Sequence, residues 1–122
     1  MNELVAYTVA VYALGAAAYA AWHMVAERPF SNPLFYVIAA LEVALIGLLV
    51  AGSVALAGPD GDGVEGVLFI SYLVTTAVIP PAAVLWGIAE KSRWGSGVVV
   101  VAMLTVSILL VRELQIWQAG HA

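Results

Sequence analysis

The sequence contains no cysteine and few charges, because only 10% of its 122 residues are Asp, Glu, Lys or Arg. Soluble domains carry about 25% charged residues, so water is not the main solvent of this chain. Four Lys and Arg residues stand against eight Asp and Glu residues, which gives a formal net charge of -4. Binding to phosphate backbones needs clustered Lys and Arg, so we predict that nucleic acid is not a partner.

Residues that bind metals or cofactors are equally scarce. The sequence has no Cys and no Glu-x-x-His pair, which leaves a buried metal site without a ligand set. His23 ends the first apolar segment and His121 lies in the tail on the opposite side, so they cannot supply the two axial ligands of a membrane haem. Motifs for serine hydrolases, phosphate loops and zinc proteases are absent. We therefore expect no cofactor, no metal and no enzymatic activity.

Apolar residues are abundant and make up 64% of the chain. They form four segments, each near the ~20 residues that cross a bilayer as a helix, at about 4–25, 34–57, 67–89 and 97–117. These segments are apolar on every face, unlike the alternating strands of a membrane barrel. Asn2-Glu3 precedes the first segment without a Lys or Arg, which favours a retained helix over a signal peptide. The prediction is an all-α polytopic membrane protein, with four transmembrane helices in one up-down bundle over residues 1–122.

The few cations predict an orientation in the membrane. Arg28 lies in the first connection and Lys91 and Arg93 lie in the third. The second connection has no cation and contains Asp60, Asp62 and Glu65. The positive-inside rule then places the first and third connections in the cytoplasm and both termini outside. Arg112, near the outer end of the fourth helix, is the one cation that opposes this orientation, so insertion in both directions stays open.

Glu42 is the residue most out of place in lipid. It lies roughly 12 Å inside the second helix at about 1.5 Å per residue, where an ionised carboxylate costs several kcal/mol. Thr105 lies at the same level, as does Pro80, which with Pro81 predicts a kink and leaves the carbonyl of Thr76 without its usual donor. A protonated Glu42 is a donor for that carbonyl. In this interpretation Glu42 has a structural role. The alternative is that Glu42 takes part in a proton relay.

Arg112 lies roughly 10 Å above Glu42 by the same helical rise. A direct ion pair between them needs stretched side chains or tilted helices. Tyr72, near the outer end of the third helix, is level with Arg112 and is its expected neighbour. Snorkelling of Arg112 to the outer headgroups, or a local hydrogen bond, is favoured over a buried ion pair because it costs less.

Small residues recur at every fourth position in two of the segments. They are Ala13, Ala17 and Ala21 in the first, and Gly47, Ala51 and Ala55 in the second. Such ladders let helix backbones approach closely in lipid. One ladder serves the internal bundle, and the other leaves a face for another membrane subunit or a second copy. For the first segment, a high alanine content explains the spacing equally well.

Four stretches carry a resemblance to other proteins: Ala40-Leu41-Glu42-Val43, Ile79-Pro80-Pro81, residues 89–95 and residues 111–117. Together they resemble a group of small, uncharacterised four-helix membrane proteins of actinobacteria. The resemblance implies a bacterial inner-membrane location and no particular activity. It implies that the motif positions are Glu42, Glu90, Arg93, Arg112 and Trp117.

Two better-known families of this size fit less well. Small multidrug exporters carry their essential carboxylate in the first helix, which here has none, and the glycine-arginine motif of fluoride channels is missing. We therefore expect a non-catalytic interaction or accessory component of a membrane assembly, in contact with lipid and with other subunits or a second copy. The alternative is a small proton-coupled transporter that uses Glu42.

Overall fold

The computed structural model describes residues 3–26, 32–58, 63–90 and 94–119. These residues form four helices, α1 (Glu3–Val25), α2 (Asn32–Ala57), α3 (Gly66–Ala89) and α4 (Trp94–Ala119). None of the described residues lies in a strand. All four helices are long and apolar enough to span a bilayer. The predicted all-α fold with four membrane-spanning helices is confirmed.

The helix ends follow from local chemistry. Pro33 lies in the first turn of α2, where its missing N–H costs no intrahelical hydrogen bond.

Pro80 and Pro81 lie inside α3, which continues through both of them. Breaking a helix in lipid leaves more backbone groups unpaired than two prolines do, so these residues do not divide the segment. A kink at this point stays a prediction.

The start of α4 lies closer to the end of α3 than the sequence predicts. α4 begins at Trp94, before the predicted residue 97. A Cβ on Gly95 would lie 2.9 Å from the carbonyl oxygen of Glu90 and 3.1 Å from that of Gly87. Only glycine fits against the α3 backbone at this distance. This close approach lets the first turn of α4 form directly beside the last turn of α3.

The helices are arranged in a ring in sequence order. Each helix contacts the next one along the chain, and α1 also contacts α4. The α1–α4 contact is the most extensive of the four and the α1–α2 contact is the least. A Cβ on Gly97, near the start of α4, would lie 3.2 Å from the Sδ of Met24, near the end of α1. Neighbouring helices are therefore antiparallel, as the short connections require.

Each helix buries a stripe of residues that we call its seam, and α1 and α4 bury further residues beside it. The α4 seam contains Val99, Met103, Val106, Leu110, Glu113 and Trp117. The α3 seam contains Phe69, Leu73, Thr76, Pro80, Ala83 and Gly87. The α2 seam contains Leu34, Ile38, Leu41, Leu45, Leu48 and Gly52. Seam residues follow one another at alternating intervals of four and three, the spacing that keeps one face towards a neighbour in a left-handed bundle.

Most of the buried residues of α1 are alanines: Ala6, Ala10, Ala13, Ala16, Ala17 and Ala20. Small side chains let helix backbones approach closely, which explains why α1 and α4 share the largest contact. The first predicted ladder is thus internal, although Ala21 is only half-buried. In the second ladder Gly47 and Ala51 are exposed, whereas Ala55 is half-buried and packs against the core. A Cβ added to Gly47 would meet no atom within 4 Å.

Tryptophans mark one end of the bundle. Trp22, Trp86 and Trp94 are more than half exposed and lie at the end where α1 and α3 finish and α4 begins. Exposed tryptophans at one end of a membrane bundle are typical of an aromatic belt at the interface. Trp117, at the opposite end, is buried and packs against Phe69 with ring centroids 5.3 Å apart. Trp117 is on the α4 seam, so its side chain packs into the core.

Candidate functional site

A buried polar pair joins α3 to α4. The Oγ1 of Thr76 lies 2.5 Å from Oε1 of Glu113, within hydrogen-bonding distance. The exposed fractions are 1% for Thr76 and 0% for Glu113. The same Oγ1 lies 2.7 Å from the backbone carbonyl oxygen of Tyr72, one turn earlier in α3. Glu113 is therefore held inside the protein by a group from another helix.

The remaining surroundings of Glu113 are apolar. Leu110, Leu114 and Trp117 are its buried neighbours on α4, and Leu73 lies one turn from Thr76 on the α3 seam. Oε2 of Glu113 is buried and has no hydrogen-bond partner among the described residues. A buried carboxylate without a paired charge is costly in such an environment.

Arg112 points away from this pair. It is exposed, and its Nη1 donates to Oε1 of Gln115 at 3.3 Å on the same helix. This is the local hydrogen bond predicted for Arg112 as an alternative to snorkelling. In the described part of the chain, no hydrogen bond joins Arg112 to its expected neighbour Tyr72, nor to Glu42. The structure instead uses the Tyr72 carbonyl to hold the hydroxyl of Thr76.

Sequence reasoning missed Glu113 because it treated Arg112 and Glu113 together as the polar end of a helix. Consecutive helical residues point about 100° apart, so only one of the two lies on the seam. Glu113 follows Leu110 by three positions and precedes Trp117 by four, which is the seam interval. Once packing shows that Val106 and Leu110 lie on the seam, the same interval includes Glu113.

Glu42 occupies a second environment, a groove between α2 and α3 that we call the Glu42 groove. Its walls are Phe35, Ile38, Ala39, Pro80, Pro81, Val84 and Leu85, and its volume is about 350 Å³. Glu42 is half-buried, and its Oε1 is buried without a hydrogen-bond partner among the described residues. Glu42 follows the seam residue Leu41 by one position, so its side chain lies beside the seam rather than on it.

The predicted partners of Glu42 do not meet it. Within the described residues, no hydrogen bond joins Glu42 to Thr76, whose hydroxyl contacts Glu113 instead. Thr105 is exposed and donates to the carbonyl of Val101 on its own helix at 2.8 Å. The helical rise gives the depth of each residue but not its direction around the helix, and here the directions differ. The structure does bring Glu42 beside Pro80 and Pro81.

One further hydrogen bond crosses between helices. The hydroxyl of Tyr12 donates to the backbone carbonyl of Val37 at 2.8 Å. It ties α1 to α2, the pair with the smallest contact.

A larger apolar groove, of about 820 Å³, lies at the tryptophan-marked end of the bundle. Trp86 and Trp94 line it together with Met24 and Glu90, and α3 and α4 supply the remaining walls. Among the described residues, no three His, Asp, Glu or Cys side chains come together in a way that could hold a metal ion. The groove is thus an apolar surface at the level of the aromatic belt.

Several predicted features lie outside the described residues. They are the connections that carry Arg28, Asp60, Asp62, Lys91 and Arg93, and the tail that carries His121. The orientation in the membrane therefore stays a prediction.

Comparison of the chain with protein-family models, curated proteins and solved structures finds no match. The resemblance to small actinobacterial membrane proteins stays a prediction as well. Composition, the four helices and their apolar outer faces agree on one statement: the chain is a small, multi-pass membrane protein.

Proposed function

We propose that this protein is a non-catalytic interaction component of a larger membrane assembly, and that a partner helix packs into the Glu42 groove. The observation that carries the proposal is the position of Glu42. Its Oε1 is buried in an apolar groove at the edge of the bundle and has no hydrogen-bond partner among the described residues. A polar atom in that position is stabilised when a neighbouring helix supplies a donor.

The size and the walls of the groove favour the side chains of a packed helix over a bulky small molecule. At about 350 Å³ the groove is at the lower end of the range of small-molecule sites. Its walls are apolar apart from Glu42, and Leu85 at its rim is 71% exposed. The fitting occupant is an apolar transmembrane helix that carries one hydrogen-bond donor, such as a Ser, Asn or Lys side chain.

A second copy of this chain is a poorer occupant. A symmetric pair formed around this groove would bring the same surface of both copies together. Two Glu42 side chains would then face each other, and only one of the two could ionise, because like charges at close range in an apolar environment are unfavourable. We therefore propose a different membrane subunit as the partner, in a bacterial inner membrane with both termini outside.

The test uses a photoreactive amino acid at Leu85 in the full chain, expressed in its native membrane. We expect one adduct of defined mass, retained in Glu42→Gln and lost in Glu42→Leu, since Gln still hydrogen bonds and Leu does not. The matched control carries the same photoreactive group at Val11, which is 65% exposed on α1. An adduct between two copies of the chain would show that the occupant is a second copy and would contradict the proposal of a different subunit. Equal adducts from both positions, or an adduct indifferent to Glu42→Leu, would contradict the proposal.

Proton-coupled transport is the second candidate function, and Glu113 is the observation that favours it. A relay needs several titratable groups in series, and sequence reasoning had only Glu42. Thr76 and Pro80 lie one turn apart on the α3 seam. Glu113 contacts Thr76 from α4, and Glu42 lies beside Pro80 from α2. Two carboxyl groups thus flank the same turn of α3.

Purified protein in liposomes with a pH-sensitive dye inside tests transport. Glu42→Gln should abolish proton-coupled flux while leaving the helical content intact. Flux that is unchanged by the substitution, or absent from the parent protein, excludes this second candidate.

A further inference from the structure

We infer that Glu113 is a proton-binding site near the end of α4, where it is held as a neutral carboxylic acid that donates a hydrogen bond to Thr76. The inference does not depend on the proposed partner or on transport. It follows from counting the protons available to the hydroxyl of Thr76.

The hydroxyl of Thr76 lies between two oxygens but has one proton. Its Oγ1 is 2.7 Å from the carbonyl oxygen of Tyr72 and 2.5 Å from Oε1 of Glu113. A backbone carbonyl is an acceptor only, so the Thr76 proton must serve the contact with Tyr72. The contact with Glu113 is then a hydrogen bond only if Glu113 supplies the proton. A protonated carboxyl has one O–H to donate.

The other oxygen of Glu113 supports the same assignment. Oε2 is buried and has no hydrogen-bond partner among the described residues. In an ionised carboxylate both oxygens share the charge and need donors, whereas a neutral acid leaves one weaker carbonyl acceptor. The arrangement of one bonded and one unbonded oxygen therefore fits the acid.

No described cation faces Glu113 from the helices packed around it. The α2 seam is apolar, and α3 presents Thr76. The buried residues of α1 are alanines except for His23, which lies at the opposite end of the bundle from Glu113. The charged residues at this end of the described chain are Glu3, Glu65 and Arg112, all exposed, and Tyr72 is the nearby titratable side chain on α3. Arg112 donates to Gln115, on the outer side of α4. A counter-charge for an ionised Glu113 is therefore missing from this seam.

The proton acts as a ligand that holds two helices together. With the proton, Glu113 and Thr76 link α4 to α3. Without it, the seam would contain an unpaired anion, and the two helices would have to separate or admit water. Glu113 is about six residues, or roughly 9 Å along the helix, from the end of α4, so the membrane surface at that end is the nearer source of the proton.

Infrared spectroscopy of the purified protein in lipid tests the inference. The difference spectrum between the parent and Glu113→Gln at neutral pH should contain the carbonyl stretch of a protonated carboxylic acid, shifted on transfer to D2O. Thr76→Val should move this band to higher frequency, because it removes the acceptor, whereas Thr76→Ser should leave it in place. Glu42→Gln is the matched control and should leave the Glu113 band unchanged.

Two results would overturn the inference. One is a difference spectrum with the paired carboxylate stretches of an ionised group in place of the acid band. The other is an acid band that is indifferent to Thr76→Val, which would mean that the proton does not bond to Thr76. Because Gln keeps a donor for Thr76, Glu113→Gln should fold with the helical content of the parent protein. If this variant does not fold, isotope labelling of Glu in the parent protein assigns the acid band instead.

Discussion

Removing the hydroxyl of Thr76 gives the sharpest test of how this bundle is held together. Val has nearly the shape of Thr, so Thr76→Val removes the hydrogen bond to Glu113 and opens little space. Leaving a buried donor unsatisfied costs about 1–3 kcal/mol in soluble proteins. Hydrogen bonds between membrane helices average about 0.6 kcal/mol and reach about 1.7, because the unfolded state in lipid also finds partners.

The structure places the Thr76–Glu113 pair at the upper end of the membrane range. Glu113 has no exposed surface and no other partner among the described residues, so its O–H cannot turn to water or to a second acceptor. We expect Thr76→Val to lower the free energy of unfolding by about 1.5 kcal/mol, roughly a tenfold change in the equilibrium constant. Unfolding in mixed micelles with increasing SDS, followed by circular dichroism, measures this quantity.

Thr75→Val is the matched control for this measurement. Thr75 adjoins Thr76, is exposed, and donates only to the carbonyl of Ser71 in its own helix, at 2.7 Å. Its loss should cost less than about 0.5 kcal/mol, as for surface substitutions. Equal effects of the two substitutions would refute the reasoning, because the link between helices would then add nothing. Combining Thr76→Val with Glu113→Leu should be no worse than Glu113→Leu alone, since replacing both partners leaves no orphaned group.

Three further predictions use other contacts of the bundle, each measured by the same unfolding assay. Gly95→Ala should lower the free energy of unfolding by about 1–3 kcal/mol, because the added Cβ would lie 2.9 Å from a backbone oxygen at the end of α3. Gly47→Ala is the control: its Cβ would meet no atom within 4 Å, so it should change the free energy of unfolding by no more than about 0.5 kcal/mol or raise it. Tyr12→Phe should cost about 0.6 kcal/mol by deleting the hydrogen bond between α1 and α2, and an unchanged value would show that this bond is not needed. Glu42→Gln should leave the isolated protein within about 0.5 kcal/mol of the parent, because Oε1 has no partner among the described residues; a larger loss would point to an internal role.

The polar residues show how far sequence reasoning reaches into a membrane bundle. Glu42 could be identified because it interrupts a long apolar segment, and the structure places it beside Pro80 and Pro81. Its predicted bond to Thr76 fails because depth along a helix does not give direction around it. Thr105, at the predicted level, is exposed on the outer side of α4. Trp117 is likewise buried in the core, although tryptophan is typical of the membrane interface.

The four membrane-spanning helices follow from the amino-acid sequence alone, because long apolar segments with few charges are solvated by lipid and must pair their backbone groups within a helix. The approximate helix ends follow from it too, since prolines, glycines and charges cluster where the apolar segments stop. Which of two adjacent charged residues, Arg112 or Glu113, enters the core depends on how the helices pack. In a helix that is apolar on nearly every face, hydrophobicity alone does not choose the buried side, and packing against the neighbouring helices does.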